Sequence, residues 1–574
     1  MALLKKKKEQ YPWLSHYPAM VDWRAEIPVK PVYRIIDEAA EKFPHHICVD
    51  FLGKKLTYAQ MAALVNKAVK GLQGIGVRKG TKVGLYLPNC PQFIIFYYAI
   101  LKAGGTVVNY NPLYAFREIK HQVEDSGTTI LITLNLKDLF NKATSLLNST
   151  TLEHIIVTGL DEYLPFPKNL LFSFVKRNDI ANVSYSRVIL SARGILENDG
   201  KYVEETIEPE KDIAVLQYTG GTTGIPKGAM LTHANIYANM AQSRFWFANL
   251  KDGEECMLAA LPFFHVFAMT AIMNLGLHIG ARIVLHPRFV LKDVMQDIEK
   301  KKVTILAGVP TMFNAIIHSP LARKHSLRSL NACVSGGASL PKEIKESFEQ
   351  LSHCSLVEGY GLTESSPVAC VNPLAFHNIK TPKKAVEQKN IAAQIGSVGL
   401  PLPRTIITIR DKDNHKKILP IGEIGELCIE GPQVMLGYYN KPEETAQVLV
   451  NGVLRTGDLA CMDKHGFTYV VDRLKEVIIT GGFNVYPRNV EEALYQHPAI
   501  EEAAVVGEPD NHKGQIVAAY VKLKEERQTG VEELITFLKG FLAPFEIPSQ
   551  IYFVESLPKT LIGKISKKDI IKEK

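Results

Sequence analysis

The feature that most constrains the fold is an alternation of helical and strand patterns in the first quarter of the chain. The same rhythm returns in residues 291–335. The predicted helices lie at about 57–72, 91–102, 117–125, 291–301 and from 311, and the predicted strands at about 83–87, 107, 129–133, 304–307 and 332–335. Such alternation predicts a sheet with helices packed on both of its faces.

The length of 574 residues exceeds what one hydrophobic core supports, so at least two domains are expected. From Val398 the pattern changes to short strands separated by glycine and proline, which indicates a small β-rich lobe. A compact α+β unit follows residue 474. We therefore expect an α/β chain. Its large N-terminal domain, residues 1–474, has two α/β sheet lobes and the β-rich lobe, and a small mobile α+β domain spans residues 475–574.

One segment has the length of a membrane span. Residues 257–281 contain no formally charged side chain. Pro262, His265 and Asn274 interrupt the stretch, however, and a lipid-exposed span would leave polar groups there without partners. We expect a buried strand–loop–helix wall of a soluble domain.

Charge and cysteine usage exclude some function classes. A net charge of +8 is a mild excess for this length, and no aromatic–basic RNA-binding module is visible, so no nucleic-acid partner is expected. The eight cysteines are scattered without a Cys-x-x-Cys pair, which is typical of reduced cytosolic thiols.

The N-terminus begins with a run of four lysines, residues 5–8, and no apolar region follows as in a secretory signal. We therefore expect a cytoplasmic protein. The basic run, with Tyr11, Trp13 and Trp23 nearby, could rest on anionic lipid at the inner face of the membrane. A solvated, frayed terminus is the alternative.

The segment Gln217–Leu231 carries the strongest chemical signal. An apolar strand, residues 213–216, runs into a loop rich in glycine and threonine with one lysine, Lys227. Glycines let backbone amides approach an anion, and hydroxyls and an ammonium add donors. The P-loop pattern does not fit this loop. The residues predicted to grip a polyphosphate are Thr219, Gly220, Gly221, Thr222, Thr223, Gly224 and Lys227.

Four further motifs follow in order along the chain, each weak alone and specific together. They are Ser335-Gly-Gly-Ala338, Glu358-Gly-Tyr-Gly-Leu-Thr-Glu364, Leu454-Arg-Thr-Gly-Asp-Leu459 and Leu557-Pro-Lys-Thr-Leu-Ile-Gly-Lys564. With them the chain resembles the adenylate-forming superfamily from about residue 22 to 568, and within it the bacterial long-chain fatty-acid–CoA ligases. Further matching segments are Asn111-Pro-Leu-Tyr114, Gly431–Tyr439, Asn451–Asp458, Val471–Lys475 and Gly482–Pro487.

The resemblance implies a two-step reaction. A fatty-acid carboxylate attacks the α-phosphorus of ATP, giving acyl-AMP and pyrophosphate, and coenzyme A then displaces AMP to give a thioester. ATP, Mg²⁺ and coenzyme A are the implied cofactors and co-substrates, and a homodimer is left open. Cations and oriented amides must gather these like-charged reactants.

Residue roles are implied by position in the family motifs. Lys227 and the glycine-rich loop would hold the β and γ phosphates, and Thr219 and Glu364 would contact magnesium. Asp458 would accept from the ribose hydroxyls. The other nucleotide contacts implied are Gly336, Gly337, Ala338, Tyr360 and Gly361 at the adenine, Thr363 at the α-phosphate and Arg473 at the ribose.

Lys564 is the implied adenylation lysine, which reaches from the small domain to the carboxylate and the α-phosphate. His265 would lie between the phosphate end and the acyl channel, with a buried structural histidine as the alternative. Lys475 matches the hinge of the family. A turn of the small domain about it would bring the loop at Gly482 to the thiol channel.

Several readings stay open on the same motifs. A fatty-acyl-AMP ligase that loads a carrier protein, an aryl-acid or luciferase-like ligase, and an inactive lipid-binding protein are the alternatives to the fatty-acid–CoA ligase. Ile562, Arg455, Glu476 and the lysine-rich stretch 381–393 depart from the usual family pattern.

Overall fold

The computed structural model describes residues 11–219, 226–374, 396–510, 512–525, 527–560 and 564–572. The helices are α1 (Arg34–Lys42), α2 (Tyr58–Gly74), α3 (Pro91–Lys102), α4 (Phe116–Ser126), α5 (Lys137–Leu147), α6 (Lys168–Val175), α7 (Ala192–Leu196), α8 (His233–Trp246), α9 (Val266–Ala268), α10 (Leu275–His278), α11 (Leu291–Lys301), α12 (Pro310–His318), α13 (Lys342–Ser352), α14 (Pro442–Val448), α15 (Pro487–Tyr495), α16 (Val531–Leu538) and α17 (Lys567–Lys572).

The strands form four sheets. In chain order they are β1 (Ile47–Phe51), β2 (Lys54–Thr57), β3 (Lys82–Tyr86), β4 (Thr106–Asn109), β5 (Ile130–Leu134), β6 (His154–Thr158), β7 (Ile189–Ser191), β8 (Ile213–Tyr218), β9 (Gly228–Thr232), β10 (Cys256–Ala259), β11 (Arg282–Leu285), β12 (Ile305–Gly308), β13 (Ala332–Ser335), β14 (Leu356–Gly361), β15 (Val368–Val371), β16 (Leu400–Pro401), β17 (Ile406–Arg410), β18 (Gly425–Glu430), β19 (Gly437–Tyr438), β20 (Leu449–Val450), β21 (Val453–Met462), β22 (Thr468–Arg473), β23 (Ile478–Thr480), β24 (Phe483–Val485), β25 (Ile500–Asp510), β26 (Gly514–Leu523) and β27 (Gln550–Phe553).

Two large, mostly parallel sheets form the bulk of the molecule. One has the order β19-β9-β8-β4-β3-β5-β6-β7, and the other β16-β15-β14-β13-β12-β10-β11-β1-β2. In the second sheet β10, β12, β13 and β14 run parallel to one another, so their carboxyl ends lie along one edge. A β-rich lobe pairs β17-β18-β21-β20 with β22 on β21, which confirms the predicted α/β fold class.

The C-terminal unit has its own sheet and its own core. Strands β23 to β27 form a five-stranded sheet, and α15 packs against β25. The main hydrophobic cluster runs from Trp13 to Phe467, whereas two separate clusters begin at Ile478 and Ala504. These separate cores support a division after residue 474, which remains our proposal.

The uncharged stretch 257–281 folds as a buried wall. It forms β10 and then a helical run from Val266 to His278, which contains one π-helical turn at Met269–Asn274. Such turns widen a helix locally and are frequent at functional sites. Within the described residues, no helix is both long and apolar enough to cross a bilayer.

Helix limits follow local signals closely. The Thr57 hydroxyl accepts from the Gln60 amide and the Gln60 side-chain oxygen accepts from the Thr57 amide, so α2 begins with a capping box. α3 begins at Pro91, where a missing N–H costs nothing. Helix α16 ends at Leu538, where residues 540–542 turn back on the helix end through backbone hydrogen bonds.

Candidate functional site

The predicted nucleotide motifs meet at the carboxyl edge of the nine-stranded sheet. Gly336 and Gly337 follow β13, Tyr360 lies at the end of β14, and Val309 follows β12. His265 comes from the loop after β10. In open α/β sheets, ligands bind outside the carboxyl ends of the strands, so the topology alone gathers these residues at a ligand-binding edge.

A small cavity lies at this edge, between the strand ends and the helical run from Val266 to His278. Gly336 has no side chain, and a Cβ there would lie 3.0 Å from the ring of Phe267, so the aromatic ring packs directly on the backbone. Met269 and Met273 of this helical run are fully buried. The cavity is lined by Leu261, Pro262, His265, Phe267, Ala268, Val309 and Gly337.

Tyr360 and Asp458 are joined across two sheets. The Tyr360 hydroxyl donates to Asp458 Oδ2 at 2.5 Å, and Arg473 Nε lies 3.6 Å from Asp458 Oδ1. Burial raises the pKa of the Asp458 carboxyl, and the Arg473 guanidinium and the Tyr360 hydroxyl oppose that rise. The strand pairing of β21 with β22, which places Asp458 opposite Arg473, fixes this group.

Lys564 reaches this site from the C-terminal unit. A Cβ on Gly337 would lie 3.0 Å from Lys564 Cε and 3.7 Å from its Nζ, so the missing side chain leaves the room that the lysine occupies. Thr560 holds Lys564 through two hydrogen bonds: the Thr560 amide donates to the Lys564 carbonyl at 2.6 Å, and the Lys564 amide donates to Thr560 Oγ1 at 3.1 Å.

Burial shifts the pKa values of both Lys564 and His265. Burial lowers the pKa of Lys564 to about 8, with a further lowering from Arg473 and an opposing effect of Asp458. Burial and the Lys564 ammonium lower the pKa of His265 to about 3, so this imidazole is neutral at physiological pH. His265 Nδ1 accepts from the Phe267 amide at 3.3 Å, which orients the ring.

The phosphate side of the site contains Thr219 and Lys227, which close the ends of the glycine-rich loop. The Thr219 amide donates to the Lys227 carbonyl at 3.0 Å, and Lys227 Nζ lies 5.1 Å from the centroid of the Tyr438 ring. The Tyr438 hydroxyl in turn donates to Glu364 Oε1 at 2.7 Å. Tyr438 therefore links the loop lysine to the carboxylate predicted to contact magnesium.

Glu364 has the chemistry of a ligand for a hard cation. Burial raises the pKa of its carboxyl, and the hydrogen bond from Tyr438 opposes that rise. No group of three or more His, Cys, Asp or Glu side chains in the described part of the chain could hold a metal by itself. A single buried carboxylate fits Mg²⁺, which is bound through one or two carboxylates and keeps several waters in its shell.

The remaining predicted residues fall into three groups. Gly361 and Thr363 lie at the end of β14 and in the turn after it, and Ala338 is exposed beside Gly337. Gly482 lies at an open hairpin turn between β23 and β24, with no atom near its Cβ position, and the described contacts do not bring it to the site. Outside the described residues lie Gly220, Gly221, Thr222, Thr223 and Gly224 of the loop, Ile562, and the stretch 381–393.

Three residues of the site had no role in the sequence analysis. Tyr438 contacts both Lys227 and Glu364, Thr560 holds Lys564, and Val309 lines the cavity. Tyr438 stands in the matching segment Gly431–Tyr439, which was the one available signal. Its contacts could not be read from sequence, because 74 positions separate it from Glu364.

Comparison with known proteins assigns the family. Residues 36–439 match the AMP-binding enzyme family, and residues 489–564 match the C-terminal domain of AMP-binding enzymes. The chain is 41% identical over 574 residues to a long-chain-fatty-acid–CoA ligase of Bacillus subtilis, covering 99% of this chain and 98% of the relative. It is 32% identical to a feruloyl-CoA synthase of an Amycolatopsis species, covering 92% and 96%.

Solved structures agree. An ATP-bound RpMatB-BxBclM chimera is 25% identical with a TM-score of 0.79, covering 94% of this chain and 98% of the chimera. The o-succinylbenzoate CoA synthetase of Bacillus subtilis, solved with its acyl-adenylate intermediate, is 25% identical with a TM-score of 0.72, covering 94% and 98%. The motif order, the gathered strand ends and these matches lead to one conclusion: the chain belongs to the AMP-binding enzymes of the adenylate-forming superfamily.

Proposed function

We propose that the protein is a long-chain fatty-acid–CoA ligase that forms acyl-CoA, AMP and pyrophosphate through an acyl-AMP intermediate. The observation that carries the proposal is the placement of Lys564 against Gly337 beside the Asp458–Tyr360 pair. A cation from a separate unit there can neutralise two anions, a carboxylate and an α-phosphate, while they approach each other. The curated relatives at 41% and 35% identity support a fatty acid as the substrate.

On the phosphate side, Lys227 and Thr219 bracket the glycine-rich loop and would hold the β and γ phosphates. Glu364 would hold Mg²⁺ together with Thr219, and the ion would supply charge neutralisation of the phosphate oxygens. Tyr438 would position the Glu364 carboxylate through its hydroxyl.

On the nucleoside side, Asp458 would accept hydrogen bonds from the ribose hydroxyls, with Arg473 beside it. Gly336 and Gly337 would contribute only backbone atoms to the adenine pocket, and Tyr360 would offer an aromatic face. Gly361 and Ala338 border the same pocket, and Thr363 would lie at the α-phosphate. The carboxylate of Asp458 must be ionised for this role, which Arg473 favours by lowering its pKa.

On the acyl side, the wall formed by Pro262, Phe267 and Ala268 would border the carboxyl end of the fatty acid. His265 is neutral, so we assign it a positioning role: it would separate the phosphate end from the acyl channel without adding a second positive charge beside Lys564. An uncharged ring keeps the Lys564 ammonium available for the reacting anions.

The second half-reaction would require Lys564 to leave. We propose that residues 475–574 turn about Lys475 after adenylation, so that the hairpin at Gly482 replaces Lys564 at the site and coenzyme A enters. The separate cores on either side of residue 474 support a rigid-body motion of this kind.

The test of the function is fatty-acid-dependent exchange between ATP and pyrophosphate, with acids of six to eighteen carbons. Exchange with at least one of these acids, followed by thioester formation with coenzyme A, is expected. Absence of exchange with every fatty acid contradicts the proposal. Aryl acids belong in the same panel because a feruloyl-CoA synthase is 32% identical, and exchange confined to them would assign the aryl-acid function instead.

The location of the enzyme is also a proposal. We expect a cytoplasmic protein with a peripheral contact at the inner face of the membrane. The aromatic residues after the basic N-terminal run do not supply that contact: Trp13 is buried, its ring stacks on Tyr11 at 4.7 Å, and Trp23 donates to the Thr405 carbonyl. The basic run itself lies outside the described residues, and a homodimer is a further proposal that analytical ultracentrifugation tests.

A further inference from the structure

An unusual concentration of exposed apolar side chains lies on and just before α6. Elsewhere on the described surface, large exposed apolar residues are spread along the chain, but here five occur within ten positions. Their exposed fractions are 80% for Phe166, 63% for Leu170, 55% for Leu171, 79% for Phe174 and 72% for Val175. We call these five residues the α6 patch. Soluble surfaces rarely leave such a cluster in water without a partner.

The patch is held firmly on the molecule. Phe172, on the opposite side of the helix, packs against the main hydrophobic core. The Lys168 ammonium donates to the Leu52 carbonyl at 3.1 Å, and Pro165 lies 3.6 Å from the Cβ position of Gly53. The exposed side chains are therefore displayed by an anchored helix.

The surroundings of the patch are basic. Residues 160–187 include four basic side chains and three acidic ones. Asp179 pairs with Lys176 at 2.8 Å, and Glu162 accepts from the Gly159 amide at 2.8 Å. Lys168 and Arg177 flank the two ends of the helix and are exposed. Two more exposed lysines, Lys54 and Lys55, follow Gly53 in the hairpin that the helix contacts. An apolar centre with a cationic rim complements an anionic lipid surface, in which side chains enter the acyl boundary and ammonium groups meet the headgroups.

We propose that the α6 patch docks this enzyme on the anionic face of a lipid bilayer. The inference rests on the proposed function in one respect, because a long-chain fatty acid is a substrate that partitions into bilayers. A second copy of the chain is the other partner that an apolar face could bind. In such a dimer the surplus of basic groups around the patch would face the same basic groups of the second copy and repel them.

A chain of contacts leads from α6 to the acyl wall. The turn Leu160–Tyr163 packs on α6, and Gln92 Nε2 donates to the Gly159 carbonyl at its start, at 2.7 Å. The residue after Gln92 is Phe93, and its ring lies 5.7 Å from the ring of Phe263, which directly follows Pro262 of the wall. Direct contacts thus connect the docking helix to the segment proposed to border the fatty acid.

The test is co-sedimentation of the full-length protein with vesicles of phosphatidylglycerol and, separately, of phosphatidylcholine. The variant Leu170→Ser/Phe174→Ser removes the centre of the patch, and Val203→Ser/Ile418→Ser is the control because both residues are exposed apolar side chains outside it, at 72% and 58%. We expect the wild type and the control to bind phosphatidylglycerol vesicles alike, and the patch variant to bind at least about tenfold more weakly. Raised salt should weaken binding of the wild type.

Octanoate-dependent pyrophosphate exchange, measured without vesicles in the same preparations, separates the two proposals. Equal exchange in all three proteins with weaker vesicle binding by the patch variant supports docking. Equal vesicle binding by the patch variant and the wild type overturns it, as does absence of binding by the wild type. A dimer that the patch variant dissociates, with no vesicle binding, would assign the patch to contact between copies. Missing exchange in the wild type would contradict the catalytic proposal and leave the docking result standing.

Discussion

At the scale of single residues, the site depends on one ammonium group placed where no side chain competes. Lys564 lies against Gly337, and burial lowers its pKa to about 8. An ammonium held in a partly dehydrated position interacts more strongly with anions than one in water. Three predictions follow from this residue and from the Tyr438–Glu364 contact.

Lys564→Ala is expected to lower the rate of acyl-AMP formation by about 10²–10³-fold, the range for loss of one preorganised donor. Thioester formation from supplied acyl-AMP should change little, because Lys564 is proposed to be absent from that step. Rapid-quench assays of the two half-reactions measure both rates. Lys568→Ala, in the exposed first turn of α17, is the control. Equal losses in both half-reactions would reject the two-arrangement mechanism.

The pH profile of adenylation should report the same group. Below a pH of about 8 the Lys564 amine is protonated, and above it the charge is lost. Because kcat/KM reports ionisation of the free enzyme, we expect it to fall about tenfold per pH unit above that value. Lys564→Arg should shift this limb upward beyond the accessible range, since arginine stays charged. A wild-type profile that stays level at high pH would contradict the assignment.

Tyr438→Phe is expected to raise the Mg²⁺ concentration needed for half-maximal exchange by about tenfold, because the Glu364 carboxylate loses the hydrogen bond that orients it. The ring beneath Lys227 remains. Tyr439→Phe is the control, as its neighbouring ring lies over a different cation, Lys82. An unchanged Mg²⁺ requirement in the Tyr438 variant would remove this residue from the proposed magnesium site.

At the scale of elements, the strand ends position the site residues, and the turns after the strands leave space for Lys564. Gly337, in the turn after β13, has a φ of +82°, a region that favours glycine, and its missing side chain leaves room for Lys564. Gly337 thus has two roles: it adopts the positive φ that this turn requires, and it leaves room for the lysine of the small domain.

Gly337→Ala separates these two roles when compared with Gly452→Ala. Gly452 has a φ of +79° and open space at its Cβ position, so its substitution carries only the backbone cost, about 1 kcal/mol. We expect both variants to lose similar stability in urea titrations. The Gly337 variant alone should adenylate several-fold more slowly, since its methyl group would meet Lys564 at 3.0 Å. Equal adenylation by the two variants would count against the docking role.

The sequence predicted elements where local signals are strong. The limits of α3 agree with the expected 91–102, because Pro91 begins the helix and an apolar run follows it up to Lys102. The segment that contains α6 had no assigned structure, because its large apolar residues are exposed and show no buried stripe. Its helix is fixed by tertiary contacts at Phe172 and Lys168, which periodicity cannot reveal.

The site residues could be named from motifs, but their spacing could not. Asp458 and Arg473 were expected at the ribose, and the pairing of β21 with β22 places them opposite each other. The contact between Lys564 and Gly337 spans two separate cores, and the link through Tyr438 joins three separate segments. Distances across domains depend on packing of whole elements, and no local pattern encodes them.

At the scale of the whole molecule, charged contacts cross the proposed boundary after residue 474. Arg488 begins α15 beyond the boundary, and its amide donates to Asp472 Oδ2 at 2.9 Å. Its guanidinium donates to the Val470 carbonyl and faces Glu358 of β14. Burial raises the pKa of Glu358 to about 7, against the lowering effect of Arg488. This cluster holds the arrangement in which Lys564 reaches the site.

Arg488→Met removes the guanidinium donors but keeps the backbone amide that bonds Asp472, and should destabilise this arrangement by about 1.5–3 kcal/mol, the range for hydrogen bonds to charged groups. We expect slower adenylation, little change in thioester formation from supplied acyl-AMP, and a larger radius of gyration by small-angle X-ray scattering. Arg187→Met, at an exposed position, is the control. An unchanged radius together with unchanged adenylation would show that Arg488 does not hold the domains together.

The contacts of Tyr438 have a thermodynamic consequence for how the enzyme is loaded. Its ring contacts Lys227 and its hydroxyl bonds Glu364. One side chain therefore takes part in both the binding of nucleotide and the binding of the divalent ion. A nucleotide that draws Lys227 away alters the position of Tyr438, and a divalent ion at Glu364 does the same from the other side. Linkage then requires that each ligand change the affinity of the other by the same factor.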